Sequence, residues 1–194
     1  MARKLDQKKV AILVTDGFEQ VELTEPKKAL EDAGARAMIV APGGGAVRGW
    51  QHTEWGDVFK ADVPLESARP SDFDALLLPG GVMSPDKLRM NDKAVKFVKA
   101  FQADNKPVAA ICHGPWSLID ANGVRGLRLT SWKSLQRDLE NAGADWVDQE
   151  VVVDQGIVTS RSPRDLPRFC EKMIEEFAEG AHAGREQQRR AGNL

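Results

Sequence analysis

Residues 107–116 read PVAAICHGPW, and this stretch decides how the rest of the sequence is interpreted. Residues 107–111 form a short, continuous apolar run, which predicts a β-strand buried on both faces. Cys112 follows this strand directly, while Gly114 and Pro115 favour a sharp turn into a helix. The pattern is typical of a nucleophile elbow, in which a reactive side chain stands at the tip of a strained strand-to-helix turn.

Further apolar strands alternate with helices along the chain. Strands are predicted at 9–15, 37–40 and 73–78, with a hairpin at 147–153 and 156–160; helices are predicted at 20–33, 92–103, 114–121, 133–141 and 163–178. This alternation predicts an α/β fold with a mainly parallel sheet and helices on both faces. Residues 42–56 are rich in glycine and tryptophan, so we expect them to be irregular.

In such sheets, functional sites form where the carboxyl ends of the strands meet. Three strand ends carry unusual residues: 16–19 (DGFE), 79–81 (PGG) and 112–114 (CHG). The Gly80-Gly81 turn has no side chains, so its backbone N–H groups can approach Cys112 and stabilise an oxyanion. The helix that starts after Cys112 is expected to lower the pKa of its thiol.

Two side chains are candidate partners of the sulfur. His113 is adjacent in sequence, and a sharp turn can bring its imidazole back beside Cys112; the ring then needs an orienting carboxylate on its far nitrogen. Glu19 ends the first predicted strand, and if it is buried it is expected to be protonated and to hydrogen-bond the thiolate. The alternative is that Cys112 is a small buried hydrophobic residue without chemistry.

Composition limits the function classes. The chain has 194 residues and a mass of 21.3 kDa, and this length predicts a single domain. The domain is expected to span residues 9–178, with flexible termini at 1–8 and 180–194. The net charge is −2. The charge indicates neither nucleic acid nor anionic membrane as a partner, and no apolar run approaches the roughly 18 residues of a membrane span. The start, MARKLDQKK, lacks the apolar stretch of a signal peptide. Two cysteines make no disulfide framework, so a reducing, cytoplasmic setting is expected.

The remaining candidate residues are assigned to packing or loops. Cys170 lies between Phe169 and Met173 in the last predicted helix, where packing is its expected role. His52 is interpreted as a loop residue, although its Trp-flanked segment could line a pocket, and His182 is expected to be inert in the tail. Three scattered histidines show no metal-ligand spacing, and the Pro79-Gly80-Gly81 turn lacks the pattern of a phosphate loop. Neither a metal nor a cofactor is therefore expected.

Three motifs together resemble a known family. They are FEQVEL at 18–23, FDALLLPGG at 73–81 and AICHGP at 110–115. In this combination and order they are similar to the ThiJ/PfpI superfamily, and specifically to its PfpI-like intracellular protease branch, over residues 9–178. The resemblance implies a flavodoxin-like three-layer sandwich related to class I glutamine amidotransferases.

The resemblance also implies roles for individual residues. Cys112 would be the nucleophile, with His113 as its base and Glu19 hydrogen-bonded to it, and the N–H groups of Gly81 and His113 would hold the oxyanion. In this branch an acid from a neighbouring subunit completes the triad. Its matching position here is Asp86, an aspartate where the family has a glutamate, so the resemblance implies a homo-oligomer, either a dimer or a hexamer. The amidotransferases have a His-x-Glu pair later in the chain than the cysteine, and no such pair follows Cys112 in this sequence.

The activities described for the family leave three hypotheses open. The first is a stress-related cysteine hydrolase that attacks small carbonyl adducts, as a deglycase, or peptide bonds, as an intracellular peptidase. The second is a non-hydrolytic redox sensor or stress-protective chaperone in which Cys112 is oxidised. The third is a domain in which Cys112 only packs.

Overall fold

The structure is a computed structural model that describes residues 4–182. Its strands are β1 (Lys9–Leu13), β2 (Phe18–Glu19), β3 (Arg36–Ala41), β4 (Ala46–Gln51), β5 (Glu54–Lys60), β6 (Val63–Pro64), β7 (Ala75–Leu78), β8 (Val108–Ile111), β9 (Arg128–Leu129), β10 (Asp145–Trp146), β11 (Val151–Asp154) and β12 (Ile157–Ser160). Its α-helices are α1 (Gln20–Asp32), α2 (Met83–Arg89), α3 (Asp92–Ala103), α4 (Trp116–Asp120), α5 (Gln136–Asn141) and α6 (Leu166–Glu179).

A seven-stranded sheet forms the centre of the fold, in the order β11-β12-β8-β7-β1-β3-β6. Its neighbouring strands pair in parallel, except that β11 is antiparallel to β12. The strands β1, β7, β8 and β12 are almost wholly buried, as the apolar runs predicted. This sheet confirms the predicted α/β class.

Each face of the sheet has its own hydrophobic core. Helices α1 and α6 cover one face, where Leu30 and Phe169 pack with Ile12 of β1. Helices α3 and α4 cover the other face, where Phe101 and Leu118 join the alternate residues of the same strands. Side chains of a strand point to opposite faces in turn, so one apolar strand supplies both cores. The result is the three-layer sandwich expected from the resemblance.

Helix α1 begins at Gln20, directly after β2, although Pro26 lies inside it. Proline inside a helix kinks it or lies in its first turn, so the sequence also allows the regular helix to start near Thr24; the structure shows that this alternative is wrong. The earlier start places Glu22 in the first turn, and its side chain is buried with those of Leu23 and Leu30 on the inward face of the helix. Helix α1 therefore carries a carboxyl group into the interior.

The segment expected to be irregular contains a β-hairpin instead. Strands β4 and β5 pair antiparallel and join β2 in a second, three-stranded sheet. The side chain of Gln20 clamps this hairpin to α1, because its amide donates to Asp57 Oδ2 and its Oε1 accepts from the Asp57 N–H, both at 2.7 Å. Gly49 and Gly56 leave the space that this side chain fills, since a Cβ on Gly56 would lie 2.1 Å from Gln20 Oε1.

Both described chain ends contact the rest of the domain, within the termini that are expected to be flexible. Leu5 is fully buried, and its N–H donates to the Ala33 carbonyl at 2.9 Å. At the other end, the His182 N–H donates to the Asn105 carbonyl at 3.1 Å. Residues 1–3 and 183–194, which the same expectation covered, lie outside the described residues. Within 4–182, the helices are too short or too polar to cross a membrane.

Candidate active site

Cys112 stands at the carboxyl end of β8 in a strained backbone conformation. Its φ is +60°, in the left-handed region that residues other than glycine seldom adopt. The turn is tight because Gly114 packs against β7: a Cβ at that position would lie 2.3 Å from the Leu78 carbonyl oxygen. Two backbone hydrogen bonds anchor Cys112, one from its N–H to the Ser160 carbonyl at 3.0 Å and one to its carbonyl from Trp132 at 2.9 Å. The geometry is that of a strained elbow.

The structure brings the His113 imidazole beside the sulfur. Its Nδ1 lies 3.3 Å from Cys112 Sγ, and its Nε2 lies 3.4 Å from Ser134 Oγ. The ring sits between Trp116, which it meets edge-on at 5.2 Å, and Trp132, on which it stacks at 6.1 Å. Burial lowers the pKa of His113 to about 4, so the imidazole is neutral near pH 7 and able to accept a proton.

Glu22, rather than Glu19, is the carboxyl group beside the sulfur. It is fully buried, its Oε2 accepts the Gly80 N–H at 2.8 Å, and its side chain interacts with the Cys112 thiol through charge and a hydrogen bond. Burial raises the pKa of Glu22 to about 8. Glu19 was expected to hydrogen-bond the sulfur, but it ends strand β2, outside the helix. Glu22 lies in the first turn of α1, on the inward face of the helix.

The pKa of the Cys112 thiol is raised, contrary to the expected lowering by the helix that follows it. Burial is the main cause, and the charge of Glu22 adds to it. The N–H groups of Gly81 and His113 act in the opposite direction because they donate to the sulfur. Since Glu22 and Cys112 are both buried, one negative charge shared between them costs less than two. The pair therefore carries at most one negative charge near neutral pH.

Two glycines allow this close approach. A Cβ on Gly80 would lie 2.6 Å from Glu22 Oε2 and 2.7 Å from Cys112 Cβ, so a side chain there would separate the acid from the thiol. Gly81 has a φ of +77° and would bring a Cβ within 2.5 Å of the Glu19 backbone nitrogen. The PGG turn thus places bare backbone next to the sulfur, as the sequence predicted.

The sulfur faces a cavity of about 820 Å³. Cys112, His113 and Glu22 line this cavity, and so do Glu19, Trp50, His52 and Arg164. Burial raises the pKa of Glu19, while the charge and the backbone N–H of His52 oppose that rise. Glu19 therefore lies in the cavity wall with His52. His52 is a loop residue, as expected, and its loop between β4 and β5 lines the cavity.

Asp86 lies in the first turn of α2, is exposed, and is not among the residues that line the cavity. The far nitrogen of His113 meets Ser134 instead of a carboxylate in the described part of this chain. A role for Asp86 requires a second subunit, so it stays a prediction. Ser134 was missed by the sequence analysis, since an isolated serine in a helical segment gives no signal of its own.

Cys170 is packed as expected. It lies in α6, partly buried against the core between α1, α6 and the sheet. Burial raises the pKa of its thiol to about 11, with a smaller contribution from the charge of Glu25 on α1.

A parallel α/β sandwich with a cysteine at a strained strand-to-helix turn, flanked by a histidine and a buried acid, defines a class of cysteine-centred proteins. Within that class, a family model described as the DJ-1/PfpI family matches residues 8–176. The chain belongs to this family, which confirms the resemblance to ThiJ/PfpI proteins.

Individual relatives agree with this assignment. General stress protein 18 of Bacillus subtilis is 49% identical over 169 residues, which cover 86% of this chain and 96% of that protein. A protein of Pyrococcus abyssi that is named a deglycase is 42% identical over 166 residues, covering 86% of this chain and 97% of that protein. The crystal structure of Drosophila melanogaster DJ-1beta superposes with a TM-score of 0.80 at 27% identity, covering 89% of this chain and 91% of that chain.

Proposed function

We propose that this protein is a cysteine-dependent hydrolase of the deglycase type, acting on small carbonyl adducts in a reducing, cytoplasmic setting. The observation that carries the proposal is the convergence on Cys112 Sγ of His113 Nδ1, at 3.3 Å, with the N–H groups of Gly81 and His113. A base, a nucleophile and oxyanion donors are the three parts that attack on a carbonyl carbon requires. The deglycase name of the Pyrococcus abyssi relative supports the same reaction class.

The proposed reaction uses the geometry in a fixed order. The thiol proton moves to His113 Nδ1, and Nε2 keeps its own proton, directed at Ser134 Oγ. At the adduct carbon, which bears a hydroxyl group and the amine, the C–N bond breaks as the C–S bond forms, and the amine leaves with the proton from His113. When the C–S bond of the resulting hemithioacetal breaks, its hydroxyl proton returns through His113 to the sulfur, and the N–H groups of Gly81 and His113 hold the oxygen on which negative charge develops. Water then hydrates the released carbonyl group.

The size of the cavity favours small adducts over folded polypeptides as substrates. A cavity of about 820 Å³ falls within the ordinary range for small-molecule sites, which is roughly 300–1,000 Å³. Trp50 and Trp132 supply apolar walls, whereas Arg164 and His52 supply polar groups. Peptidase activity, the other reaction of the same hypothesis, would require an extended chain to enter this cavity.

The isolated chain holds the thiol and the imidazole in their neutral forms, because burial raises the pKa of Cys112 and lowers that of His113. A carboxylate placed beside His113 would raise the pKa of the imidazole and favour proton transfer from sulfur. We propose that Asp86 of a neighbouring subunit supplies it in a homo-oligomer. Light scattering that finds only monomers of an active protein at micromolar concentration would contradict this part of the proposal.

The decisive experiment assays three purified proteins in parallel: wild type, Cys112→Ser and the matched Cys170→Ser. Release of free amine from a methylglyoxal-treated amino acid measures deglycation, and casein measures peptidase activity. We expect Cys112→Ser to lose at least about 10³-fold in kcat/KM and Cys170→Ser to keep wild-type activity. Full activity in Cys112→Ser, with its circular dichroism spectrum unchanged, would refute the hydrolase.

A second candidate function is protective oxidation of Cys112. The observation that favours it is the Oε1 atom of Glu22, which is buried without a hydrogen-bond partner in the described structure, beside a sulfur that two N–H groups also reach. When protonated, Glu22 can donate to an oxygen added to that sulfur, and the N–H groups can stabilise its negative charge. The two functions are compatible, since one thiolate serves both.

A further inference from the structure

We propose a binding site for a divalent transition metal at the C-terminal end of α6, formed by Glu176, Glu179 and His182. One potential ligand atom of each residue lies within 4.8 Å of those of the other two. None of the three lines the cavity at Cys112, so the site is separate from the proposed active site and does not depend on its function. His182, which the sequence pattern left without a role, is one of its ligands.

The observation that points to a ligand is a buried carboxylate oxygen that has no hydrogen bond. Glu176 is 6% exposed, and its Oε1 atom is buried without a hydrogen bond in the described structure. The atom that faces it, Nε2 of His182, is also buried without a hydrogen bond, although the two lie within ion-pair distance. A carboxylate oxygen and the lone pair of a neutral imidazole repel each other, so either a proton or a metal cation must lie between them.

The end of the helix adds a second reason for a cation. Carbonyl groups at a helix C-terminus carry partial negative charge, so carboxylates there are unfavourable and cations favourable. Helix α6 has no basic residue in its last turn, yet Glu176 and Glu179 both lie there. Lys8 approaches Gly180 nearby, but no ion pair joins its ammonium to Glu176 or Glu179 within residues 4–182.

The donor set selects the class of metal. One imidazole nitrogen and two carboxylate oxygens suit Zn²⁺ and its first-row neighbours, and two carboxylates balance a charge of +2 while the imidazole stays neutral. Ligand bonds of about 2.0–2.2 Å require the donor atoms to draw closer than 4.8 Å. Glu179 is exposed and free to turn inward, while the hydrogen bond from the backbone N–H of His182 to the Asn105 carbonyl holds the His182 backbone in place.

The test is a zinc titration of the full chain, followed by calorimetry. Because thiols also bind zinc, the titration uses Cys112→Ser/Cys170→Ser protein whose thermal unfolding has been checked. We expect one Zn²⁺ per chain in this background, and about a hundredfold or greater loss of affinity on adding His182→Ala. His52→Ala is the matched control, and it should bind zinc as the background does.

Two further measurements separate the metal site from a simple ion pair. Glu179→Gln removes a ligand that takes no part in the Glu176–His182 pair, so it should weaken zinc binding without lowering the unfolding temperature of the metal-free protein. Binding should also weaken in acid solution, because protons compete with the metal for its ligand atoms. The proposal is overturned if zinc does not bind, or if His182→Ala and Glu179→Gln both keep the affinity of the background protein.

Discussion

The two cysteines of this protein lie on the same side of the sheet, and each has a glutamate of helix α1 beside it, yet their surroundings differ. Glu22 accompanies Cys112, and Glu25, one turn further along, accompanies Cys170. Burial raises the pKa of both thiols. Only Cys112 has an imidazole at 3.3 Å, a strained backbone and N–H groups directed at its sulfur. Burial alone therefore does not define a reactive cysteine; the groups that can take its proton and stabilise its charge do.

The largest expected effect separates the two glutamates by the pH dependence of stability. The pKa of Glu22 is raised from 4.5 to about 8, so the folded state keeps a proton that the unfolded state releases, and stability falls as the pH rises between these values. From pH 5 to pH 9, Glu22→Gln should gain about 4 kcal/mol relative to wild type. Urea unfolding at several pH values measures the difference.

Glu25→Gln is the control for this experiment, because it changes an exposed carboxyl on the same helix. Its free energy of unfolding should stay within about 0.5 kcal/mol of wild type across the same pH range. Parallel curves for wild type and Glu22→Gln would show that the Glu22 carboxyl is ionised in the folded protein throughout, which contradicts the assignment.

A smaller effect is expected from a methyl group placed between the acid and the thiol. Gly80→Ala puts a Cβ within 2.7 Å of Glu22, Cys112 and the Ile111 carbonyl, so it should destabilise the fold by about 3 kcal/mol. It should also abolish turnover, because the new Cβ displaces the Cys112 side chain from its position beside His113 and the Gly81 N–H. Gly45→Ala is a useful comparison because its Cβ meets no atom within 4 Å, although its positive φ carries its own strain. Wild-type turnover in Gly80→Ala would show that the contact is dispensable.

The next experiment compares the oxidation rates of the two thiols. The pKa of Cys170, about 11, lies below that of Cys112, and Cys170 is the more exposed, so ionisation alone favours Cys170. We expect the reverse, with Cys112 oxidised about tenfold faster at low peroxide. The reason is that His113 can accept the thiol proton and a protonated Glu22 can donate a hydrogen bond to the oxidised sulfur. Peptide mass spectrometry reads both sites in one sample. Faster oxidation of Cys170 would argue against protective oxidation of Cys112.

The smallest effect concerns the far nitrogen of His113. Ser134→Ala removes the only described hydrogen-bond partner of Nε2 and should lower kcat about threefold, with KM unchanged and the acid limb of the pH–rate profile displaced. Ser162→Ala alters another serine of the cavity wall, and it should leave the profile in place. A displaced profile in both variants would assign the effect to the cavity as a whole.

Much of the fold and of the site at Cys112 could be predicted from the sequence, because both depend on local sequence patterns. The apolar runs placed β1, β7 and β8, and the residues after each strand placed the glycine turn, the cysteine and the histidine at one edge. The choice between Glu19 and Glu22 could not be made this way. It depends on where α1 begins, and Pro26 obscured that start.

Contacts between distant segments were also beyond local patterns. Ser134 reaches His113 across 21 positions, and the hairpin of β4 and β5 brings His52 to the cavity from a segment that reads as irregular. The glycines of that hairpin weaken its strand signal, yet at Gly49 and Gly56 they are required by the Gln20 side chain. Tertiary packing thus explains the residues that local propensity misread.

The clamp between Gln20 and Asp57 has a consequence for the rotational setting of helix α1. An α-helix advances about 100° per residue, so inserting or deleting one residue ahead of Glu22 would swing its carboxyl away from the sulfur. The start of α1 follows β2 without a connecting loop, and Gln20 is tied to the hairpin by two hydrogen bonds. The second sheet thereby fixes the rotation of α1 about its own axis, and so determines which side chain of the helix points to the Cys112 sulfur.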